Sequence, residues 1–171
     1  MNGEPNEKKL ILSVLVQNHA GVLQRVAGLF SRRCYNIADI VAAQTENHAH
    51  SRLIIVVYED EKTTHLIKSQ LMKLTEVEAV TLLTQETAVI REHMLIKIDC
   101  SPQKKESLTE LAKIFHAQIL NVSDIDMIFE LTGDTKTLDS FVDVCEPHGI
   151  KELLRTGSMA MQKSEGSQTK N

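Results

Sequence analysis

Residues 29–40 read LFSRRCYNIADI, and residues 114–125 read IFHAQILNVSDI. At an offset of about 85 positions, the same residue types recur in the pairs Phe30/Phe115, Asn36/Asn121, Asp39/Asp124 and Ile40/Ile125. Self-similarity at a fixed offset is the sequence signature of a structural repeat. The chain is therefore predicted to contain an internal duplication.

Hydrophobic periodicity gives the first half the order strand, helix, strand, strand, helix, strand. Strands are predicted at residues 9–16, 35–45, 51–58 and 77–83. The two helices are predicted to turn apolar stripes inward, namely Val22, Leu23, Val26, Leu29 and Phe30 in the first and Leu66, Ile67, Leu71 and Leu74 in the second.

The second half repeats this order. Strands are predicted at residues 89–100, 119–122, 127–132 and 150–161, and the helical stripes are Leu108, Leu111, Ala112 and Phe115, then Leu138, Phe141, Val142 and Cys145. The predicted fold class is α+β, with two tandem ferredoxin-like (βαββαβ) domains at residues 9–84 and 85–162. The ends, residues 1–8 and 163–171, are predicted to be disordered.

A sheet with helices on one face leaves its other face in need of a cover. The segment LIIVVY, residues 53–58, is apolar at every position instead of alternating, which predicts a strand buried on both faces. The cover is expected to be another subunit or the other half-repeat.

Bulk composition argues against several classes of protein. The 171 residues carry a net charge of −4 and are 42% hydrophobic, without a long basic run, so neither nucleic acid nor membrane is an expected partner. Cys34, Cys100 and Cys145 lack metal-binding or disulfide spacing and are predicted to be buried, reduced thiols. The short polar N-terminus resembles no targeting peptide, which predicts a cytoplasmic protein.

Other functions find little support in the sequence. An RNA-recognition module shares the predicted element order, but it needs stacking aromatics on its central strands, where this chain offers little beyond Tyr58. No nucleophile elbow, phosphate loop or HExxH motif points to catalysis. His48 and His50 stand two apart, yet no further metal ligands are indicated, so exposed hairpin histidines are predicted. We predict neither a catalytic nor a metal site.

The turn QNHAG, residues 17–21, joins the first strand to the first helix. Asn18 is predicted to cap this helix by accepting a backbone N–H near Gly21. The same helix N-terminus also suits a small carboxylate, because its N–H groups lack partners and glycine allows close approach. From the residues alone, both interpretations stand.

Six segments carry a resemblance to a known family. They are ILSVLVQNHAGVLQRVAGLFSRRCYNI, SRLIIVV, QLMKLTEVEAV, REHMLIKI, TGDTKTLDSF and LLRTGSMAM. In uninterrupted order from residue 9 to residue 161, the chain resembles the small, regulatory subunit of acetolactate synthase (acetohydroxyacid synthase). In this family the N-terminal half is an ACT domain, a ferredoxin-like module that binds amino acids, and the C-terminal half is a second ACT-like domain.

The resemblance implies that ACT domains pair and bind the feedback amino acid, usually valine, between them. The first strand–helix turn of one subunit then meets the start of the second strand of the other. Carried onto this sequence, the effector site comprises Asn18, His19, Ala20, Gly21, Val22 and Leu23 from one subunit and Asn36 and Ile37 from the other. N–H groups near Gly21 and Val22 are expected to hold the carboxylate, and Asn18 and Asn36 to supply polar contacts.

By the same resemblance, the chain is a homodimeric regulatory subunit. It is expected to activate acetolactate synthase and to make that enzyme sensitive to valine, leucine or isoleucine. Thiamine diphosphate, magnesium and flavin are then expected on the catalytic large subunit, with no cofactor on this chain. The alternative is a free-standing ACT-type sensor that binds an amino acid and regulates another protein.

The sequence departs from the family pattern in places. Cys34 stands where the family commonly has glycine, at a point where a left-handed residue often ends a helix, and His19 occupies a variable turn position. In the second repeat, Gln103 and Glu106 are matched to Asn18 and Gly21, and the acidic side chain would repel a carboxylate. A single effector site is predicted, in the first repeat, and the C-terminal half is expected to contact or support the catalytic subunit.

Overall fold

The computed structural model describes residues 8–164, which form two compact units. The first unit contains residues 8–90 and 158–164, and the second contains Arg91–Gly157. Residues 85–90 and 158–162, which we predicted in the second domain, therefore belong to the first unit. Of the predicted disordered ends, residues 1–7 and 165–171 lie outside the described residues, whereas Lys8 begins a strand.

The first unit is a four-stranded antiparallel sheet that packs against two helices. Its elements are β1 (Lys8–Gln17), α1 (Val22–Arg32), β2 (Asp39–Gln44), β3 (His50–Glu59), α2 (Glu61–Leu71) and β4 (Val77–Leu83). The strands lie in the order β2-β3-β1-β4. The predicted order of elements is confirmed for this half.

The second unit repeats the arrangement. Its elements are β5 (Ala88–Asp99), which begins in the first unit, α3 (Lys105–Phe115), β6 (Gln118–Val122), β7 (Asp126–Gly133), α4 (Thr135–Cys145) and β8 (Ile150–Arg155). Four of its strands lie in the order β6-β7-β5-β8, and their neighbours are antiparallel. The predicted α+β class with tandem ferredoxin-like domains is therefore confirmed.

Each unit buries its own core between the sheet and its helices. In the first unit the helices contribute Val22, Val26, Leu29, Phe30, Ile67 and Leu71, and in the second they contribute Leu108, Ala112, Leu138, Phe141 and Cys145. Leu23 and Leu66 were predicted to point inward but are 49% and 55% exposed. Successive helical residues are about 100° apart, so the neighbours Val22 and Ile67 take the central positions and these leucines lie on the flanks.

Strand β3 is buried on both faces, as its continuous apolar sequence predicts, although Tyr58 at its end is exposed. Leu53, Ile55 and Val57 contribute to the core beneath the helices. The opposite face of the sheet carries a second cluster, formed by Ile11, Ile54, Val56, Leu83 and Ala88, with Val41, Ile90 and Ala160 packed against it. Part of the predicted cover thus comes from short segments of this same chain.

The final strand is interrupted, so the single strand predicted at residues 150–161 was wrong. Strand β8 ends at Arg155, and a separate strand, β9 (Met159–Gln162), pairs with β5. Residues 158–164 belong to the first unit, where Ala160 packs against the apolar cluster on the sheet. We refer to residues 158–163 as the strap.

The three free cysteines differ in exposure. Cys100 and Cys145 are buried, and burial raises the pKa of Cys145 to about 11, so this thiol is neutral. Cys34 is exposed, and the prediction that it is buried was wrong. It follows α1 in the left-handed conformation, with φ of 56°, and donates its backbone N–H to the Ser31 carbonyl over 3.2 Å.

We expect Cys34→Gly to raise the free energy of unfolding by about 0.5 to 1 kcal/mol relative to Cys34→Ala, because glycine adopts positive φ without a clash of Cβ. Both variants remove the thiol, so their difference isolates the backbone conformation. Equilibrium unfolding in urea measures it. An alanine variant as stable as the glycine variant would contradict a strained residue at this helix end.

Candidate functional site

The predicted effector turn lies between β1 and α1. Gly21 immediately precedes the helix in the left-handed conformation, with φ of 88°, and no side chain caps the helix. Glycine adopts this conformation without strain. A Cβ atom at Gly21 would meet no other atom within 4 Å, so the space beside the turn is open.

Asn18 is not the helix cap, and that prediction was wrong. Its Nδ2 donates to the His48 carbonyl over 2.9 Å, and its Oδ1 accepts from Ser51 Oγ over 2.9 Å. Its backbone N–H donates to the Ala49 carbonyl over 2.7 Å. The hairpin between β2 and β3 therefore satisfies the Asn18 amide, which fixes the turn to that hairpin instead of to the helix.

The first N–H groups of α1 have weak or no protein partners in the described chain. The Val22 N–H makes only a 3.5 Å contact within the turn, and no acceptor is found for the N–H groups of Leu23 and Gln24. The Arg25 N–H is the first with a normal bond, to the Gly21 carbonyl over 3.0 Å. Unpaired N–H groups and the positive end of the helix dipole together favour a bound anion.

Helices α2 and α4 have side-chain caps at their N-termini. Asp60 accepts the Thr63 N–H, and Asp134 accepts the Thr137 N–H, each over 2.8 Å. These backbone hydrogen bonds are the main cause that lowers the pKa of each aspartate, so both caps are charged at neutral pH. No such carboxylate is present at the start of α1, so its N–H groups remain available for a carboxylate from a ligand.

An ion pair between a buried carboxylate and an exposed arginine lies beside the turn. Glu76 is 6% exposed, and its Oε1 contacts Nη1 of Arg25, while its backbone carbonyl accepts the Gln17 N–H over 2.9 Å. Within the described residues, Oε2 of Glu76 is buried without a hydrogen-bond partner. A hydrogen bond from its own backbone N–H is the largest cause that lowers the pKa of Glu76, so the carboxylate is charged. The pair ties the first turn of α1 to the end of β1.

No local sequence pattern indicates this ion pair. Arg25 and Glu76 are separated by 51 residues, and each looks like an ordinary surface charge at its own position. They come together because β4, which Glu76 directly precedes, pairs with β1.

The other predicted residues of the turn differ in accessibility. His19 and Ala20 are exposed, and His19 Nδ1 lies 3.0 Å from the Ala20 carbonyl oxygen. Val22 is buried in the core, whereas Leu23 is half exposed. A ligand at the turn therefore meets backbone groups and the flank of α1.

Asn36 and Ile37 lie beyond the opposite end of α1. Asn36 is exposed, and Ile37 packs partly against the core. Helix α1 has 11 residues and is about 16 Å long, so it separates these residues from the turn. No hydrogen bond joins the two segments in the part of the chain that the structure describes. One chain does not bring the two halves of the predicted site together, and a site that uses both requires a second copy.

The corresponding turn of the second repeat has different chemistry. Helix α3 begins at Lys105, so Lys104 is the residue before the helix, as Gly21 is for α1. The predicted match of Glu106 to Gly21 was therefore wrong, because the starts of the two helices are not separated by the offset of about 85 positions that the sequence indicates. Lys104 Nζ donates to the His148 carbonyl over 3.0 Å and lies 3.4 Å from Asp99 Oδ2. The side chain of Lys104 is thus engaged, and the backbone there is not left-handed.

We also looked for clusters of metal-binding side chains in the described part of the chain. Across residues 8–164, no three His, Cys, Asp or Glu side chains are grouped so that they could hold a metal ion. His50 Nε2 lies 2.8 Å from Glu78 Oε1, and His48 lies in the hairpin turn. In the same part of the chain, the helices are too short or too polar to cross a membrane.

Comparison with known proteins gives matches along both units. A family described as AHAS small subunit-like ACT domain matches residues 12–79, and one described as small subunit of acetolactate synthase matches residues 91–164. The probable acetolactate synthase small subunit of Archaeoglobus fulgidus is 44% identical over 153 residues, which cover 90% of this chain and 96% of that protein. The acetolactate synthase small subunit of Bacillus subtilis is 34% identical, with coverage of 95% and 94%.

A solved structure agrees with these matches. The acetolactate synthase small subunit from Thermotoga maritima has a TM-score of 0.87 and 36% identity, and the comparison covers 92% of this chain and 99% of that one. Sequence and fold therefore agree over both units. The chain belongs to the family of acetolactate synthase small subunits.

Proposed function

We propose that this chain activates the catalytic chain of acetolactate synthase and makes it sensitive to valine or a related branched-chain amino acid. The observation that carries the effector role is the uncapped start of α1, where the N–H groups of Leu23 and Gln24 lie beside the open space at Gly21. Similarity to acetolactate synthase small subunits along both units supports the choice of partner.

The effector would bind by its carboxylate at the start of α1. The N–H groups of this turn donate to the carboxylate oxygens, and the left-handed Gly21 leaves room for close approach. Asn18, held by the β2–β3 hairpin, fixes the shape of the turn. Apolar atoms along the flank of α1, including the exposed Leu23, would receive a branched side chain.

A second copy of the chain would complete the site. Asn36 and Ile37 of the other copy would face the turn, because α1 separates the two segments within one chain. An effector that spans two copies binds one arrangement of the dimer more tightly than another, and a coupling of about 1 to 3 kcal/mol is typical of such systems. The catalytic chain, docked on the dimer in the cytoplasm, would respond to that change and would itself hold thiamine diphosphate, magnesium and flavin.

Reconstitution with the large subunit of acetolactate synthase from the same organism tests this function. We expect a stable complex, a rise in acetolactate formation from pyruvate, and a decrease of that activity when L-valine, L-leucine or L-isoleucine is added. D-Valine is the matched control, since it has the same groups in mirror-image arrangement. This chain alone should not turn over pyruvate.

Two results would overturn parts of the proposal. If the chain neither binds the large subunit nor changes its activity, while calorimetry still detects binding of a branched-chain amino acid, the chain is a free-standing sensor. If it activates the large subunit but binds no amino acid, the effector role is wrong.

A further inference from the structure

The strap, residues 158–163, connects the second unit back to the sheet of the first. Strand β9 pairs with β5, and the Lys163 N–H donates to the Thr87 carbonyl over 2.8 Å. Lys163 Nζ also donates to the Glu86 carbonyl over 3.1 Å. Gly157, the residue before the strap, is the last residue of the second unit. The strap is therefore a covalent continuation of the second repeat that is folded onto the first.

The strap is held by few apolar contacts. Strand β9 has only four residues, and its Met159 and Met161 are 45% and 77% exposed, so Ala160 is the strap residue that packs against the apolar cluster. A short strand with little buried apolar surface opens locally at a low free energy. Polar contacts therefore contribute much of the free energy that holds the strap on the sheet.

Besides the Lys163 bonds, the polar anchor at the start of the strap is Ser158, which is 1% exposed. Its backbone N–H donates to Oδ2 of Asp39 over 2.7 Å, and its Oγ accepts from Lys9 Nζ over 3.3 Å. The bond to Asp39 is charge-assisted, since the acceptor is a carboxylate. The donor side of this contact is buried, and Asp39 is partly exposed.

Asp39 is also the first residue of β2, two residues after Ile37. The Ala38 N–H donates to the Val56 carbonyl over 2.9 Å, so the segment from Ile37 to Asp39 is attached directly to the sheet. Asp39 follows Ile37 by two residues, so a shift of Asn36 and Ile37 toward a ligand would reach the Asp39 carboxylate along the backbone. One side chain thus joins half of the proposed effector site to the strap.

We infer that the Asp39–Ser158 contact couples the effector site to the second unit, with Asp39 and Ser158 acting as positioning residues. Binding of the amino acid moves the segment at residues 36–39, which changes the hold of Asp39 on the strap, and the strap passes the change through Gly157 into the second repeat. This inference rests on the proposed function and deepens it. It assigns binding of the effector and transmission of its effect to the enzyme to different residues of this chain.

Asp39→Ala tests the coupling in the complex with the large subunit. We expect the variant to bind L-valine within about threefold of the wild type by calorimetry, since Asp39 is not among the groups proposed to contact the ligand, but to lose at least half of the maximal inhibition. Hydrogen exchange of the amides of Met159–Gln162 should be at least about tenfold faster and should no longer respond to L-valine.

The matched control is Asp124→Ala, which removes the aspartate that the sequence offset of about 85 positions matches to Asp39. Asp124 is an exposed residue that pairs with Lys105 in the second unit, so this variant loses the same charge without touching the strap. Ser158→Pro removes the donor N–H and leaves Asp39 in place, so it should reproduce both effects of Asp39→Ala.

The outcomes separate the coupling from the proposed function. Failure of the wild type to bind any branched-chain amino acid overturns the proposed function. Wild-type binding combined with full inhibition in Asp39→Ala overturns the coupling alone. Loss of binding in step with loss of inhibition also overturns it, because Asp39 would then act on the site itself.

Discussion

Gly21→Asp is expected to weaken binding of a branched-chain amino acid by at least about 100-fold, which corresponds to about 2.7 kcal/mol. Aspartate is a favoured residue at the position before a helix, where its carboxylate accepts N–H groups of the first turn. In this variant the side chain occupies the groups that the effector carboxylate needs. It also places a negative charge beside the incoming anion.

The structure indicates that the substitution can be accommodated. No atom lies within 4 Å of a Cβ at Gly21, so the side chain meets no steric obstacle. The left-handed backbone, with φ of 88°, is tolerated better by aspartate and asparagine than by most residues. An asparagine at the same position carries the same remaining strain, so a comparison of the two side chains cancels it.

Gly21→Asn is the matched control. Asparagine has the same shape and the same tolerance of the left-handed conformation, but it has no charge. We expect it to retain binding within about tenfold of the wild type, so that the difference between the two variants reports the charge. Calorimetry with L-valine and thermal unfolding without ligand supply both measurements. Equal binding by the aspartate variant and the wild type would refute a carboxylate site at this turn.

The second large effect is expected in the second unit, where Arg155→Leu should lower the free energy of unfolding by about 2 to 3 kcal/mol. Arg155 donates from Nε to Oε2 of Glu92 over 2.7 Å and from Nη1 to Oδ1 of Asp139 over 2.6 Å. Thr135 Oγ1 donates to the second oxygen of Glu92 over 2.5 Å. The Glu92 side chain is only 7% exposed, so the substitution leaves a buried carboxylate without its guanidinium.

Lys97→Leu is the control for this experiment. Lys97 pairs with Glu152 over 2.6 Å, a distance as short as that between Arg155 and Glu92, and both pairs link β5 to β8. The Glu152 side chain is 69% exposed, however, so water solvates it when the lysine is lost. We expect little change in the urea midpoint for this variant. A midpoint for Arg155→Leu that matches the control would mean that burial of Glu92 has no energetic consequence.

Much of the fold follows from local sequence patterns. The pattern of apolar residues predicted strands β1 to β4, with β4 at the predicted bounds of residues 77–83. Predictions failed in two situations. In the first, two adjacent apolar residues compete for one core position. In the second, no local pattern marks the end of a strand. Leu66 and Ile67 are adjacent on one helix, and the packed core accepts only Ile67 fully. The break before β9 has no local signal, because the buried surface that attracts Ala160 belongs to distant strands.

In the candidate site, too, local features were predicted correctly and long-range contacts were not. The sequence located the turn and its glycine, because a glycine between a strand and a helix has a local conformational meaning, and φ at Gly21 is positive. It assigned the wrong role to Asn18, whose partners are His48 and Ser51. A capping residue is recognised by its position in the sequence, whereas a bond to a hairpin tip depends on where the folded sheet places that tip.

The sequence by itself therefore determined the duplication, the order of elements in each repeat and the position of the glycine turn before α1. These features depend on periodicity and on the conformational preferences of single residues, which neighbouring residues encode. Only the tertiary structure decided that Asn18 holds the hairpin, that Glu76 contacts Arg25 and that Ser158 contacts Asp39. These contacts join residues between 30 and 119 positions apart, and the packed sheet of the first unit brings them together.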